Sequence, residues 1–316
     1  MKKRNSMKSI AYAIALTGLI SFTACEKDDN NAPGNGNTTF KVTDAPIDDA
    51  SVTGAFVTIS DIKLDGQSLQ GFSKTTVDLN AYRNGDTKTI GNFKLGTKTY
   101  NTITFVLDYD TDQSGNTPGS YVVTTGGVKH KLQSSSNTIN VNKSIAIDGN
   151  ANNSIVADFD LRKMIVAQSG SDKYDFATAA ELESAVRVVK EDNTGTISGT
   201  VSGTTSGSDK IVAYAYKKGT FNRSTEMQAQ GSSGIRFKNA VSSSTVSNTG
   251  GYSLHFLENG EYEVHFASYK DTDSDGTYEL QGTLIVTGAG DINLLGLNLG
   301  TNATLNANAT ATGILP

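Results

Sequence analysis

The sequence contains no tryptophan, one cysteine, three histidines and four prolines in 316 residues. A single cysteine excludes an internal disulfide framework, so the folded part must hold together without disulfide bonds. A glycoside hydrolase would need paired carboxylates in a cleft with aromatic platforms, and tryptophan is absent. A serine hydrolase would need a Gly-x-Ser-x-Gly motif between a strand and a helix, and none is found. The chain also lacks a basic stripe, which disfavours binding to nucleic acid. The sequence therefore predicts a protein that is not an enzyme.

The only cysteine follows an export signal. Four basic residues among the first eight precede an apolar run from Ile10 to Ala24, and Cys25 comes next. This order predicts a bacterial lipoprotein signal peptide over residues 1–24, cleaved before Cys25, with acyl chains attached to that cysteine. The apolar run is shorter than the roughly 20 residues that a spanning helix needs, and an uncleaved anchor is the alternative.

The residues after the cysteine indicate where the anchor sends the protein. Lys27, Asp28 and Asp29 form a short acidic cluster that resembles the export tag of Bacteroidetes surface lipoproteins. The alternative is a solvated acidic patch at the start of a linker. Residues 25–38 are polar and rich in glycine and asparagine, so they are predicted to form a flexible tether. The predicted location is the cell outer membrane, lipid-anchored and exposed at the surface.

Composition and spacing predict an all-β fold. Apolar residues come in short alternating runs, such as Tyr100 to Leu107 and Ile155 to Leu161, each with one face buried and one in water. In the second run Asp158 and Asp160 are expected on the wet face. The Asx-Gly pairs that begin at Asp65, Asn84, Asp148 and Asn259 are predicted to mark tight turns. The clearest predicted hairpin joins residues 252–257 to 262–269. One short helix is expected after Thr178.

The length predicts two β-sandwich domains in tandem, of immunoglobulin-like or transthyretin-like type, with at most one or two short helices. We place the domains at residues 39–190 and 195–301, with the break near 191–194. In the second domain strands are expected near 210–216, 234–246, 252–257, 262–269, 278–286 and 291–299. Residues 302–316 are either a frayed tail or an added strand.

Several segments resemble a known family. Thr43-Asp-Ala-Pro46 is the most specific of them, and further matches lie at residues 54–63, 95–107, 155–161 and 185–189. Together they resemble the DUF4382 domain of bacterial surface lipoproteins, over about residues 38–190. That family implies no established activity. The second domain is similar to the carboxypeptidase regulatory-like group of sandwiches, which implies a fold more than a task.

Two acidic runs are candidate metal sites. Asp271, Asp273 and Asp275 alternate before Gly276, and Glu279 follows, a spacing that suits the oxygen ligands of Ca²⁺. A polar hairpin loop explains the same pattern. Asp108, Asp110 and Asp112 form a second, less complete run. No other cofactor is predicted.

The remaining polar candidates have structural interpretations. Asp44, with Asp48 and Asp49, flanks Pro46, and Asp44 is expected to accept backbone hydrogen bonds in a turn set by that proline. His255 and His265 are expected to face each other across the predicted hairpin, while His130 lies elsewhere, and no third ligand at metal spacing supports a zinc site. The strand tyrosines, for example Tyr214, Tyr216, Tyr252 and Tyr262, are expected mostly in the core.

These features predict a surface lipoprotein that binds or displays without catalysis, with a glycan or a protein as its ligand. The alternative is a fimbrial subunit that polymerises by strand donation, with residues 302–316 as the strand in question. A hydrolase has no specific support in the sequence.

Overall fold

The computed structural model describes residues 34–45, 49, 51–149, 151–168, 174–203, 207–274 and 276–316. The predicted signal peptide, Cys25, Lys27, Asp28 and Asp29 lie outside the described residues, as do Pro46, Asp48 and Asp275. Within the described part of the chain, no helix is both long enough and apolar enough to cross a membrane.

The fold is all-β, as the sequence predicts. The strands of residues 34–193, here called the N-terminal half, are β1 Asn35–Ala45, β2 Val52–Leu64, β3 Gln67–Ser68, β4 Thr75–Asp78, β5 Lys88–Gly96, β6 Thr99–Leu107, β7 Tyr121–Thr124, β8 Lys129–Lys131, β9 Thr138–Ala146, β10 Asn152–Asp160, β11 Ile165–Ala167, β12 Tyr174–Phe176 and β13 Val186–Lys190. Its helices are α1 Leu161–Met164 and α2 Ala179–Ala185, with 3-10 turns at Leu79–Ala81 and Glu191–Asn193.

Residues 194–316 are here called the C-terminal half. Its strands are β14 Thr194–Gly203, β15 Lys210–Lys217, β16 Ser242–Thr245, β17 Gly251–Glu258, β18 Gly260–Lys270, β19 Glu279–Gly288, β20 Leu297–Leu299, β21 Thr304–Asn306 and β22 Ala309–Leu315. One helix, α3, covers Arg223–Glu226. Both halves belong to one compact unit, residues 33–316.

Two sheets enclose the core of the N-terminal half. One has the strand order β13-β10-β1-β5, and the other has the order β8-β7-β2-β6-β9 with β3 and β4 also paired to β2. Phe40, Ile59, Ile103, Phe105 and Phe159 are almost completely buried between them. Alternate residues of β6 in one sheet and of β10 in the other thus point into this core, as the predicted alternation requires.

The first strand begins earlier than predicted. β1 starts at Asn35, and Gly36 pairs with Leu95 while Asn37 pairs with Asn152. Gly36 also lies against the backbone carbonyl of Asp148, where a β-carbon would clash. The polar composition of residues 35–38 indicated a tether, but glycine and asparagine are tolerated here because neighbouring strands on both sides supply the hydrogen bonds. The predicted tether is therefore wrong over these four residues.

The outer face of β10 is also not as predicted. Ile155, Ala157 and Phe159 point into the core, so Asp158 and Asp160 lie on the opposite face, as the alternation requires. That face is covered rather than wet, and only 7% of Asp158 and 6% of Asp160 remain exposed. The period of a strand assigns side chains to faces, but it does not reveal which face a later part of the chain will cover.

The C-terminal half has a nine-stranded sheet arrangement with the order β16-β15-β18-β19-β22-β14-β17, to which β20 adds beside β18 and β21 beside β14. Ile197, Leu254, Val264, Phe266 and Leu299 form its core. A second cluster contains Tyr214, Tyr216 and Phe237, so these two predicted core tyrosines are buried. Tyr252 and Tyr262 are buried as well.

The predicted hairpin over residues 252–269 is wrong. β17 pairs with β14, where Leu254 lies opposite Ile197, whereas β18 pairs with β15 and β19. The chain therefore passes between non-adjacent strands at Asn259-Gly260, with a φ of 142° at Gly260. An Asx-Gly pair specifies a sharp change of direction, but not that the two flanking strands pair. The Asp65-Gly66 turn, with positive φ at both residues, does join β2 to the adjacent β3.

Two predicted strands are shorter in the structure. Residues 234–241 precede β16 without forming a strand, and Phe237 in this segment stacks on Tyr214 at a ring distance of 4.4 Å. Residues 291–296 likewise precede β20 without forming a strand.

The helix predicted after Thr178 is present as α2, and a capping box between Thr178 and Glu181 holds its first turn.

The C-terminal tail is a strand inside the sheet. β22 lies between β19 and β14, antiparallel to β19 and parallel to β14, with Ala309 opposite Val201. Ala309 and Ala311 are buried.

The predicted break at residues 191–194 coincides with the 3-10 turn Glu191–Asn193, and division into two domains stays a prediction.

Because β22 is central, charge on its buried face should destabilise the fold. We expect Ala311→Asp to lower the free energy of unfolding by roughly 3 kcal/mol, since the new carboxylate would be buried without a partner. Thr312→Asp on the exposed face of the same strand is the control and should change it by less than about 0.5 kcal/mol. Urea denaturation measures both, and equal stabilities would contradict the central position of β22.

Candidate functional site

A polar cavity of about 590 Å³ lies where the two halves meet, and we call it the junction cavity. Strands β9, β10 and β13 and helices α1 and α2 form its walls on one side, and the segment before β16 and the end of β17 form them on the other. Its polar lining residues are Asn140, Asn142, Lys143, Asp158, Asp160, Lys163, Glu183, Ser184, Arg187 and Glu258.

Two ion-paired groups form the floor of the cavity. Asp158 accepts a hydrogen bond from Arg187 at 2.6 Å, because the two residues lie opposite each other on the antiparallel strands β10 and β13. Asp160 Oδ2 lies 3.0 Å from Arg162 and 3.2 Å from Lys163. Helix α1 begins directly after Asp160, so its first turn brings both cations back over the carboxylate that ends the strand.

The same cations connect the halves. Arg162 donates to the carbonyl of Arg236 at 2.6 Å, and Lys163 donates to the carbonyl of Ala240 at 2.6 Å. Arg187 donates to the carbonyl of Phe256. At the rim Lys143 and Glu258 form a further ion pair at 2.6 Å. Arg162, Lys163 and Arg187 therefore each contact a carboxylate of the N-terminal half and a backbone carbonyl of the C-terminal half.

Burial and charge set the ionisation of the floor. Burial by itself would raise the pKa of Asp160, but Arg162 and Lys163 more than offset this and hold the pKa below its usual value. Burial raises the pKa of Asp158, and Arg187 limits the rise. Burial also lowers the pKa of Lys163, against the opposing effect of Asp160. The net result is an anionic Asp160 held between two cations.

From the sequence, Asp158 and Asp160 are predicted only as wet-face residues of a strand, and not as part of a site. Ile155 to Met164 contains two aspartates, an arginine and a lysine within an otherwise apolar run. Four charged residues within such an apolar run indicate a buried cluster of ion pairs, because a buried charge without a partner is costly. The partners Arg187, Lys143 and Glu258 are remote in sequence, so only the fold brings them to the cavity.

Asp44 contacts a different partner from the one expected. Its Oδ1 accepts a hydrogen bond from the amide of Leu161, 3.1 Å away and 117 positions further along the chain. The prediction of a local turn is wrong because parallel pairing of β1 with β10 brings the start of α1 beside Asp44. Burial raises the pKa of Asp44 well above its usual value. Asp49 accepts from the amide of Ser51 and from the hydroxyl of Tyr174, which is 125 positions further along the chain.

Three of the four predicted calcium ligands meet in the loop between β18 and β19. Carboxylate oxygens of Asp271, Asp273 and Glu279 all lie within 4.8 Å of one another. Two of them also bind backbone amides, because Glu279 accepts from Thr272 at 2.9 Å and Asp271 accepts from Gly276 at 3.1 Å. The loop closes an antiparallel pair, as the polar-hairpin interpretation requires, so calcium binding stays a prediction.

The second acidic run is distributed over separate contacts. Asp108 pairs with Lys74 at 2.7 Å and accepts from the amide of Thr111. Burial opposes these contacts, but they prevail and lower the pKa of Asp108 to about 2. Asp110 pairs with Lys131, and Asp112 accepts from amides within its own turn. These contacts favour a structural role for Asp108, Asp110 and Asp112.

The histidines also lie apart. His265 stacks on Phe221 at a ring distance of 3.7 Å and lies 3.3 Å from Glu263. His255 contacts Thr196 at 3.3 Å. Since β17 and β18 pair with other strands, the expectation that His255 and His265 face each other across a hairpin is wrong. Burial lowers the pKa of both. His130 contacts Thr124.

Comparison with known families identifies part of the chain. Residues 35–177 match the family described as "Domain of unknown function (DUF4382)". The predicted resemblance is thereby confirmed for this region. The likeness of the C-terminal half to the carboxypeptidase regulatory-like group stays a prediction. No functionally curated protein matches the chain.

Solved structures give only remote similarities. The Bacillus anthracis TIE protein is 11% identical with a TM-score of 0.20, over 88% of this chain and 34% of that one. A leucine-rich repeat protein from Bacteroides thetaiotaomicron is 13% identical with a TM-score of 0.22, over 87% and 26%. BcpA, the major pilin subunit of Bacillus cereus, is 10% identical with a TM-score of 0.21, over 88% and 71%. TM-scores this low carry no argument about function.

If the acidic loop binds Ca²⁺, the metal should stabilise the fold. We expect millimolar Ca²⁺ to raise the melting temperature relative to a chelator, since binding at 100 times Kd adds about 2.7 kcal/mol. Asp273→Ala should abolish the rise, because it removes one of the three grouped carboxylates. Asp110→Ala, in the second acidic run, removes another exposed carboxylate and should leave the rise intact. Identical melting curves with and without Ca²⁺ in the unsubstituted protein would reject calcium binding and support the interpretation of the loop as a polar hairpin.

Proposed function

We propose that this protein is a non-catalytic binding module, carried on the bacterial surface by a lipid on Cys25, and that its ligand enters the junction cavity. One observation carries the proposal. The cavity is open and polar, and its floor is held in place by cations that contact both halves of the molecule. A site built in this way is preorganised, so a ligand need not order it on binding.

The state of the charged groups favours binding over catalysis. Asp158 is paired with Arg187 at 2.6 Å, and Asp160 is shared by two cations. A general acid or base must exchange a proton with its substrate, and these carboxylates would first have to leave their ion pairs. Groups fixed in this way are better suited to orienting a ligand.

The sequence before the first strand supports a lipid anchor. The basic start, the apolar run and Cys25 follow the order of a lipoprotein signal, and Lys27, Asp28 and Asp29 resemble an export tag. The first strand begins at Asn35, so nine residues separate it from Cys25. Such a spacer is long enough to hold the folded unit clear of the lipid headgroups while keeping it close to the outer membrane.

Fractionation and protease shaving of intact cells test the anchor and the exposure together. The unsubstituted protein should partition with outer membranes and be digested by external protease. Cys25→Ala removes the acylation site, so the protein should leave the lipoprotein fraction. Asp28→Ala with Asp29→Ala keeps the lipid but removes the tag, so the protein should stay in the membrane and become protected. Full protection of the unsubstituted chain would refute surface display.

A fimbrial subunit is the second candidate, and the position of β22 favours it. This last strand of the chain lies between β19 and β14, which is a place that a second copy of the chain could fill by exchanging the same strand. Its buried residues Ala309 and Ala311 are small, so the place that the strand occupies does not require large side chains to fill it.

Oligomeric state separates the two candidates. As a binding module, residues 26–316 should remain monomeric across a wide range of concentration in light scattering coupled to gel filtration. A fimbrial subunit should instead give a concentration-dependent ladder of oligomers, with loss of the ladder when residues 307–316 are deleted. A hydrolase would release reducing ends from glycans, and such turnover would overturn the non-catalytic assignment.

A further inference from the structure

The floor of the junction cavity contains polar atoms that the protein itself does not satisfy. Asp160 is 6% exposed, and its Oδ1 has no hydrogen-bond partner among the described residues. The Nε of Arg187 is likewise buried and unpartnered within that part of the chain. Both residues line the cavity. A buried polar atom left without a partner destabilises the structure, so a ligand group that reached these atoms would remove that penalty.

The unsatisfied atoms are of opposite kinds. A carboxylate oxygen only accepts hydrogen bonds, and a guanidinium nitrogen only donates them. A hydroxyl group does both, so neighbouring hydroxyls on one molecule could serve Asp160 and Arg187 together. A purely anionic ligand would meet Asp160 with repulsion, and a purely cationic ligand would meet Arg187 in the same way.

The charges of the cavity are almost balanced. Lys143, Lys163 and Arg187 are cationic, while Asp158, Asp160, Glu183 and Glu258 are anionic. Most of them are committed to ion pairs within the protein, and the remaining carboxylate, Glu183, accepts from the amide of Asn140 at 3.0 Å. A charged ligand would have to break pairs whose separation leaves a buried charge uncompensated. A neutral ligand leaves every pair in place.

The remaining lining is apolar or small. Ala180, Ala185, Val186, Ala240 and Val241 form surfaces of the cavity between the charged groups. Sugars carry C–H groups on the faces of the ring and hydroxyls around its edge, which fits a cavity with both kinds of wall. The volume of about 590 Å³ lies within the range of small-molecule sites and exceeds that of a single sugar ring.

We infer that the junction cavity binds a neutral, polyhydroxylated ligand, a mono- or disaccharide unit, whose hydroxyls bridge Asp160 and Arg187 on the floor and reach Asn140 and Glu183 at the rim. This inference rests on the proposed binding function and names the ligand class for it. A glycan end fits this description, whereas a folded protein surface would reach only the rim.

Calorimetric titration with defined sugars tests the inference. Residues 26–316 are titrated with maltose, cellobiose, lactose and xylobiose, and with N-acetylneuraminic acid and glucosamine as charged probes. At least one neutral disaccharide should bind, and both charged probes should bind roughly tenfold more weakly. Stronger binding of either charged probe than of every neutral one would overturn the assigned ligand class. So would the absence of binding by all six.

A pair of serine variants assigns the binding to the cavity. Ser184 lies in the lining on helix α2, so Ser184→Trp should fill the cavity and weaken binding of the same disaccharide at least roughly tenfold. Ser114→Trp introduces the same side chain at an exposed position outside the cavity and should leave binding unchanged. Should Ser184→Trp fail to fold, judged by its melting curve, Asn142→Trp replaces it at the rim.

The outcomes separate the inference from the function on which it rests. If a disaccharide binds equally to the Ser184→Trp and Ser114→Trp proteins, the site is wrong while a binding function stands. If no sugar binds but the intact protein is exposed on cells and monomeric in solution, the ligand class is wrong and the display function survives. Oligomer formation together with loss of sugar binding would reject both.

Discussion

The arrangement of the two halves depends on the buried ion network on the outer face of strand β10. Asp158 and Asp160 lie on that face because strand geometry places Ile155, Ala157 and Phe159 on the other. Both aspartates are largely buried at the floor of the junction cavity, where the two halves meet. Two buried anions would be prohibitive without partners. Arg187, Arg162 and Lys163 make the arrangement possible.

A network of this kind specifies an arrangement more than it adds stability. Removing two ions from water costs about as much as their mutual attraction returns, so a buried ion pair contributes little net free energy. Displacing one partner leaves a buried charge without compensation, which is strongly unfavourable. The three cations also donate to carbonyls of Arg236, Ala240 and Phe256, so a different docking of the halves would remove these contacts and leave buried charges with fewer partners. The junction cavity is a consequence of that docking.

Much of the fold could be predicted from local patterns. The alternation in β6 and β10, the capping box at Thr178 and the Asp65-Gly66 turn each depend on a few neighbouring residues, and the structure contains all three. Pairing between strands depends on distant residues, so the hairpin over residues 252–269 was predicted from a turn signal and is absent. The hydrogen-bond partner of Asp44 could likewise not be predicted from the sequence, because only the parallel pairing of β1 with β10 brings Leu161 beside it.

The sequence by itself determined the all-β class, the DUF4382 resemblance and the grouping of acidic residues near Asp271, since each depends on composition or on residues close together in the chain. The lipid anchor on Cys25 is also a sequence-level prediction. Only the tertiary structure decided that the wet face expected for β10 is buried, and that the last strand lies inside a sheet. The reason is physical: a strand's period assigns side chains to two faces, whereas the packing of remote segments decides which of those faces water can reach.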